Sequence, residues 1–167
     1  AQGDCAAARD YYEQSLAIAR DIGDRRGEAY ALTGLGDCLA ELGQWAEATA
    51  ACLQAVRLRQ ELHQPHLEME SRACSARAAL AQGDLAQAQD HVAAILAYLD
   101  AGHSLDGTDE PLRIYLTCYR VLRALDDPRA EGVLDAGYEL LQERAAKIDD
   151  KVLRRSYLEN VAAHREI

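Results

Sequence analysis

The chain has 167 residues and a formal net charge of −10 at pH 7, and 49% of its residues are hydrophobic. This length allows one domain or a short run of repeats, and the 32 alanines and 23 leucines favour helices. Phenylalanine is absent and aromatic residues make up 5% of the chain, which excludes a large β-sheet. The acidic balance disfavours nucleic-acid binding, because such binding depends on lysine and arginine. The sequence contains neither a membrane-spanning apolar run nor a secretion signal, so a cytoplasmic location is expected.

Apolar residues at helical spacing, interrupted by turn residues, predict eight helices. In chain order they run at about 3–21, 27–42, 44–63, 66–82, 84–100, 110–125, 128–148 and 150–163. Gly23 is placed to end the first helix and Asp24 to cap the second. Pro65 and Pro111 stand at the starts of the fourth and sixth helices, where proline is tolerated. The one long loop, from Ala101 to Asp109, is expected to be the most mobile segment.

The chain repeats itself with a period of about 40 residues. The segment Ala1–Ala8 returns as Ala81–Ala88, and the half-step between them lies at Leu42–Ala48. One column of the repeat holds glycines where a helix must stop, at Gly3, Gly43 and Gly83. A second column holds alanines where two helix axes must come close, at Ala8, Ala48 and Ala88. Each repeat is therefore a pair of helices.

Leu35-Gly36 in one helix, followed by Ala48 and Ala55 in the next, resembles the tetratricopeptide repeat. The long period is similar to that of repeats in bacterial signal-transduction ATPases and large transcriptional activators, as are the turn at 22–29 and the ending at 156–167. The resemblance implies an all-α fold, an α-α superhelix or tetratricopeptide-like solenoid of about eight antiparallel helices. It implies a single repeat domain over 1–167, with pairs at about 1–24 (partial), 25–64, 65–103 and 110–148 and a capping helix at 150–163.

The first pair is expected to lack its first helix, since Gly3 already stands at the turn inside the pair. The sequence is therefore interpreted as the C-terminal segment of a longer protein. The faces of Cys5, Tyr12 and Leu16 are expected to be uncovered, and a homodimer through this end is one expected consequence. At the other end, three residues of the capping helix are expected to face inward, namely Leu153, Tyr157 and Val161.

No residue pattern points to catalysis or to metal binding. The five cysteines contain no Cys-x-x-Cys pair, and those in apolar columns, such as Cys52, are interpreted as buried thiols rather than parts of a zinc site or a disulfide framework. His63 and His66 have the spacing of a metal pair, but they flank a proline in a turn, which favours an exposed polar turn. Gly34-x-Gly36 lacks the third glycine and the preceding strand of a phosphate loop. We therefore expect a protein that is not an enzyme, with no catalytic residue, cofactor or metal.

Two sets of side chains are candidate partner-binding residues. The resemblance places the first helix of each pair on the concave side, where partners of such repeats bind, and in the second pair it turns four residues to that side: Tyr30, Thr33, Asp37 and Glu41. In the sixth helix the spacing puts three arginines on one face, where a carboxylate or phosphate could bind: Arg113, Arg120 and Arg123. The alternative is a solvated face balanced by nearby acidic residues, namely Asp106, Asp109, Glu110 and Asp126.

These observations indicate a non-catalytic scaffold for protein–protein interaction, within a larger bacterial signalling or regulatory protein. Its partner is expected to be a protein or peptide, or another domain of the same parent chain, and neither a nucleic acid nor a membrane. The alternative is a small-molecule-sensing domain of a transcriptional activator or signalling ATPase. A deep pocket with converging polar groups would favour the sensor, and an open groove would favour the scaffold.

Overall fold

The computed structural model describes residues 5–167 in full, and nine helices are assigned in the described chain. They are α1 (Gln2–Ile22), α2 (Arg25–Glu41), α3 (Trp45–Glu61), α4 (Pro65–Ala81), α5 (Leu85–Asp100), α6 (Pro111–Ala124), α7 (Ala130–Ala146), α8 (Lys151–Glu159) and α9 (Ala162–Glu166). The described residues contain no strand, which confirms the all-α prediction. The first seven helices lie within two residues of their predicted bounds. Among the described helices, none is both long enough and apolar enough to cross a membrane.

The chain divides into two compact units, Ala1–Thr108 and Asp109–Ile167. In the first unit each of α1–α4 packs on the next helix, and α2 also contacts α4. A core cluster joins α1, α2, α3 and α4 through buried leucines and alanines, among them Leu16, Leu32, Leu35, Ala48 and Ala78. This serial packing is the helix-pair array that the sequence predicts. The single domain over 1–167 and its pair boundaries stay a prediction.

Turns between these helices use residues with left-handed backbone angles. Gly43 and Gly83 have φ angles of 77° and 76°, which confirms that this glycine column ends helices. The turn predicted at Gly3 lies outside the fully described residues. His63 has a φ of 53° in the corresponding turn after α3. The carboxylate of Asp24 caps α2 as predicted, accepting hydrogen bonds from two backbone N–H groups at 3.1 and 3.0 Å.

The alanine column lies where helices pack. Ala48 and Ala88 have no exposed surface, which confirms that these positions are buried in the helix packing. Ala8 is half-buried. Buried alanines therefore stand beside buried leucines where these helices pack.

Helix α1 is rotated relative to the expectation from the sequence. Leu16 is 8% exposed and belongs to the core cluster, so the prediction that its face is uncovered is wrong. Cys5 and Tyr12 are half-buried. The exposed large apolar side chains of α1 instead include Tyr11 (64%) and Ile18 (62%), which lie on a neighbouring face of the helix. The reason is that Tyr12 and Leu16 lie on the side of α1 that packs against α2.

The loop after α5 is anchored to its own unit. Leu105 and Thr108 are buried, although the sequence predicts this loop to be the most mobile segment. The hydroxyl of Tyr98 donates a hydrogen bond to the carbonyl oxygen of Ser104 at 3.2 Å, and the ring of His103 stacks on the ring of Tyr98 at 4.7 Å. Burial of Leu105 favours an ordered position for the middle of the loop, and its mobility stays a prediction.

In the second unit α6 packs on α7 and α9, and α8 contacts α7 and α9. The predicted capping helix at 150–163 is instead two helices, because Val161 has extended backbone angles, with φ −91° and ψ 123°. Leu153 and Val161 are 62% and 36% exposed, so the expectation that they face inward is wrong. Tyr157 is half-buried and its ring lies 4.3 Å from the ring of His164.

Candidate interaction surface

Three tyrosines form an aromatic cluster at one end of the first unit. The ring of Tyr12 lies 5.6 Å from that of Tyr11 and 6.2 Å from that of Tyr30, in edge-to-face arrangements. A side chain on Gly34 would overlap the ring of Tyr12, so this glycine lets the ring lie on α2. Burial, together with the neighbouring Tyr30, raises the pKa of Tyr12 to about 12. Tyr30 is 50% exposed and so presents half of its surface to a partner.

Thr33 lies inside the helix packing rather than on the exposed surface. It is 8% exposed, and its hydroxyl donates a hydrogen bond to the carbonyl oxygen of Ala29 at 3.1 Å. Oγ1 of Thr33 also lies 2.8 Å from Oγ of Ser71 in α4, and Ser71 is fully buried. The structure therefore removes Thr33 from the exposed candidate set and gives it a packing role between α2 and α4.

Asp37 and Arg77 form an ion pair that joins α2 to α4. Their side chains are 23% and 17% exposed, so the pair is partly shielded from water. Tyr30, Asp37 and Glu41 share one face of α2, because they are seven and four residues apart. We call Tyr30, Asp37, Glu41 and Arg77 the α2 surface. It combines an aromatic ring with charges of both signs, a mixture suited to the side chains and backbone of a polypeptide.

Arg77 is absent from the candidates taken from the sequence, although a signal for it exists. It stands 40 residues after Asp37, in the same column of the repeat. A column that carries an acid in one copy and a base in the next indicates a pair between stacked helices. The charged residues in the columns of the repeat, considered together with the apolar ones, therefore indicate Arg77.

The three arginines of α6 each lie beside a carboxylate. Arg113 donates to Glu110 at 3.2 Å, Arg120 pairs with Glu166, and Arg123 lies 3.9 Å from Glu131. Arg123 also donates to the hydroxyl of Tyr119 at 2.7 Å and lies over its ring, 5.6 Å from the centroid. Two of the three carboxylates come from α7 and α9, which the sequence alone does not place near α6.

Two cysteines lie together between α3 and α4, whereas two histidines lie at the start of α4. Cys52 of α3 and Cys74 of α4 are almost fully buried, and their sulfurs lie at disulfide-bonding distance with Cα atoms 5.9 Å apart. The expectation of a separate thiol at Cys52 is therefore wrong, because α3 and α4 pack closely enough to bring the two side chains together. Within the described residues, no group of three or more histidine, cysteine or acidic side chains could hold a metal ion. His63 and His66 stand in the turn before and the first turn of α4.

Comparisons with known proteins agree with this helix-pair geometry. Residues 1–61 match the family model for the tetratricopeptide repeat. A curated human protein, G-protein-signaling modulator 1, is 47% identical over 45 residues, which cover 27% of this chain and 7% of that protein. The chain therefore corresponds to a small part of that relative's length. No solved structure gives a significant match.

The family match covers the segment in which the 40-residue columns are clearest. There the glycine turns, the buried alanine and the serial packing of α1, α2 and α3 are the features by which such repeats are recognised. The match and the packing together support a tetratricopeptide repeat assignment for residues 1–61.

Proposed function

We propose that this chain is a non-catalytic scaffold that binds a polypeptide through the α2 surface. The single observation that carries the proposal is the exposed half of Tyr30, which shares one face of α2 with the Asp37–Arg77 ion pair. Rigid aromatic side chains contribute much of the affinity at protein interfaces. Tetratricopeptide repeats generally bind proteins or peptides, which supports the same reading.

The proposal also covers the protein that contains this chain and the partner that it binds. The parent is a larger bacterial signalling or regulatory protein in the cytoplasm, and the partner is a peptide, a protein or another domain of that parent. A net charge of −10 supports a polypeptide over a nucleic acid. The signalling role in the name of the human relative is consistent with such a parent. The three arginines of α6 are left out of the binding set, because they lie in the second unit and the α2 surface lies in the first.

The proposal is tested by selecting binders from a display library of random dodecapeptides on immobilised 1–167. Selected peptides are expected to bind Tyr30→Ala about tenfold more weakly, since a tyrosine at the centre of an interface contributes more than about 1 kcal/mol. The matched control is Tyr138→Ala in α7, because Tyr138 is 51% exposed and Tyr30 is 50% exposed.

Equal binding to wild type and Tyr30→Ala would contradict a role for the α2 surface. Failure to select any peptide, together with a thermal shift on adding a metabolite collection, would favour the small-molecule sensor instead. A homodimer through the N-terminal end is a separate proposal, and sedimentation of 1–167 tests it.

A further inference from the structure

The two units of the chain differ strongly in charge. The first unit, Ala1–Thr108, contains 16 acidic and 8 basic residues, whereas the second, Asp109–Ile167, contains 12 and 10. The first unit therefore carries most of the chain's net charge of −10. Several of its arginines pair with carboxylates of the same unit, namely Arg20, Arg25 and Arg72. A cation is consequently attracted to the first unit more strongly than to the second.

The α2 surface shares this acidic balance. Asp37 and Glu41 lie on its α2 side, and Arg77 lies on its α4 side and pairs with Asp37. Forty residues after Tyr30, in the same column of the repeat, stands Glu70 of α4, which is half-buried. Because α2 packs on α4, the shared column places Glu70 on the same side of the helix array as Tyr30. Three carboxylates and one guanidinium thus accompany the ring of Tyr30.

The ring of Tyr30 supplies a face on which a cation can lie. Tyr30 is 50% exposed, and its ring contacts that of Tyr12 edge-to-face, with centroids 6.2 Å apart. Burial is the main cause of the raised pKa of Tyr12, and the negative charge of Asp37 contributes to it, so this carboxylate acts on the aromatic cluster. Aromatic faces attract guanidinium and ammonium groups, and a neighbouring carboxylate adds to the attraction.

The second unit contains a contact of this kind within the chain. The guanidinium carbon of Arg123 lies 5.6 Å from the ring centroid of Tyr119, and a guanidinium nitrogen lies 3.9 Å from a carboxylate oxygen of Glu131. An arginine is therefore held between a tyrosine ring and a carboxylate. The α2 surface offers the same two groups to an arginine of another polypeptide.

We propose that the α2 surface, together with Glu70, binds a basic segment of a partner polypeptide. One arginine of the segment lies on the ring of Tyr30 beside Glu70, and a second basic side chain pairs with Glu41. Glu41 stands eleven residues after Tyr30, about 16 Å along the helix, so the two basic residues are about four to six positions apart in an extended segment. This inference rests on the proposed function and deepens it, because it names the chemistry of the partner.

The probe is a synthetic dodecapeptide of alternating glycine and arginine with a fluorophore at its N-terminus. Fluorescence anisotropy at about 0.15 M salt measures its binding to 1–167. The probe is expected to bind more tightly than peptides in which serine or glutamate replaces every arginine. Glu41→Gln, Glu70→Gln in the protein is expected to weaken binding of the arginine peptide by about three- to tenfold, because two partly exposed charge pairs are lost.

The matched control is Glu47→Gln, Asp90→Asn, which removes the same charge from exposed positions of α3 and α5 in the first unit. It is expected to change binding by less than about twofold, because salt screens charges that do not touch the peptide. Circular dichroism and melting temperature establish that both double variants fold. Equal weakening by the two double variants would overturn the proposal, and so would a lack of binding by the arginine peptide.

The peptides selected by display distinguish this inference from the proposed function. Selected peptides whose binding depends on Tyr30 are expected to be enriched in arginine and lysine. Neutral or acidic peptides whose binding depends on Tyr30 would overturn the inference and leave the proposed function standing. Selected peptides that all bind Tyr30→Ala as well as wild type would instead contradict the proposed function itself.

Discussion

Gly36 lies where α2, α3 and α4 meet, and a Cβ atom at this position would have no room. It would overlap the sulfur of Cys52, lie 2.9 Å from the sulfur of Cys74 and lie 3.3 Å from the carbonyl oxygen of Ala48. We expect Gly36→Ala to lower the free energy of unfolding by about 1–3 kcal/mol, measured by urea titration. The control is Gly132→Ala in α7, where no described heavy atom lies within 4 Å of the new Cβ. There alanine is expected to raise stability by up to about 1 kcal/mol, and equal effects at both sites would contradict the close approach.

His91 on α5 gives the first unit a dependence on pH. It is 7% exposed, and among the described residues its Nδ1 has no hydrogen-bond partner. Burial, together with the positive charge of Arg72, lowers the pKa of His91 below its ordinary 6.5, while Asp90 acts in the opposite direction. The unfolded chain therefore binds more protons than the folded one as the pH falls below about 6.5, and stability decreases on acidification.

This pH dependence is measured as the free energy of unfolding at neutral pH and about one unit below the ordinary histidine pKa. His91→Gln is expected to reduce the loss, because glutamine stays neutral in both the folded and the unfolded chain. A slope that is the same in wild type and in His91→Gln would contradict the effect of burial.

At the scale of the helix, the packing of α3 depends on a small side chain at one position. Ala48 has no exposed surface, so Ala48→Leu is expected to overpack the contact and lower stability by about 1–3 kcal/mol. Ala50→Leu, two residues away on the exposed side of α3, is expected to change stability by no more than about 0.5 kcal/mol. The melting temperatures of the two variants compare them directly. An unchanged melting temperature for Ala48→Leu would contradict the close helix crossing.

The helices could be predicted from the sequence because local signals fix them. Asp24, Gly43 and Gly83 act on their own turns, so the bounds of α1 to α7 follow from residues next to one another. The break at Val161 could not be predicted, because the apolar spacing is compatible with one continuous helix. The rotation of α1 was missed for a similar reason, since its tyrosines and isoleucines allow two apolar stripes and only contact with α2 selects one.

The candidate site was predicted less completely than the helices, because contacts between helices decide it. The exposure of Tyr30 and Asp37 could be predicted, because both lie on one face of α2. In the structure both are at least partly exposed. Thr33 was placed on that face by analogy, whereas its hydrogen bond to Ser71 depends on the distance between α2 and α4. Arg77 was missed although the column signal was present.

At the scale of the whole chain, acidic residues exceed basic ones by ten, yet the arginines are mostly engaged locally. Arg20 pairs with Glu28, and Arg72 pairs with Glu68, each at 2.8 Å or less. Such pairs join a helix to itself or to its neighbour within one unit. The excess negative charge is therefore carried by the remaining carboxylates.

The three arginines of α6 also pair with nearby carboxylates. Reversing the charge of two of them tests whether they bind a partner as well. Arg113 and Arg120 already lie beside Glu110 and Glu166, so we expect Arg113→Glu, Arg120→Glu to leave binding of an oligoglutamate peptide unchanged at low salt. The measured effect should instead be a stability loss of about 0.5–2 kcal/mol, because two exposed ion pairs are replaced by like charges and Arg120 joins α6 to α9. Anisotropy at two salt concentrations and a urea titration measure the two quantities on the same samples. Loss of oligoglutamate binding at both salt concentrations, with stability intact, would show that the arginines recognise an acidic partner after all.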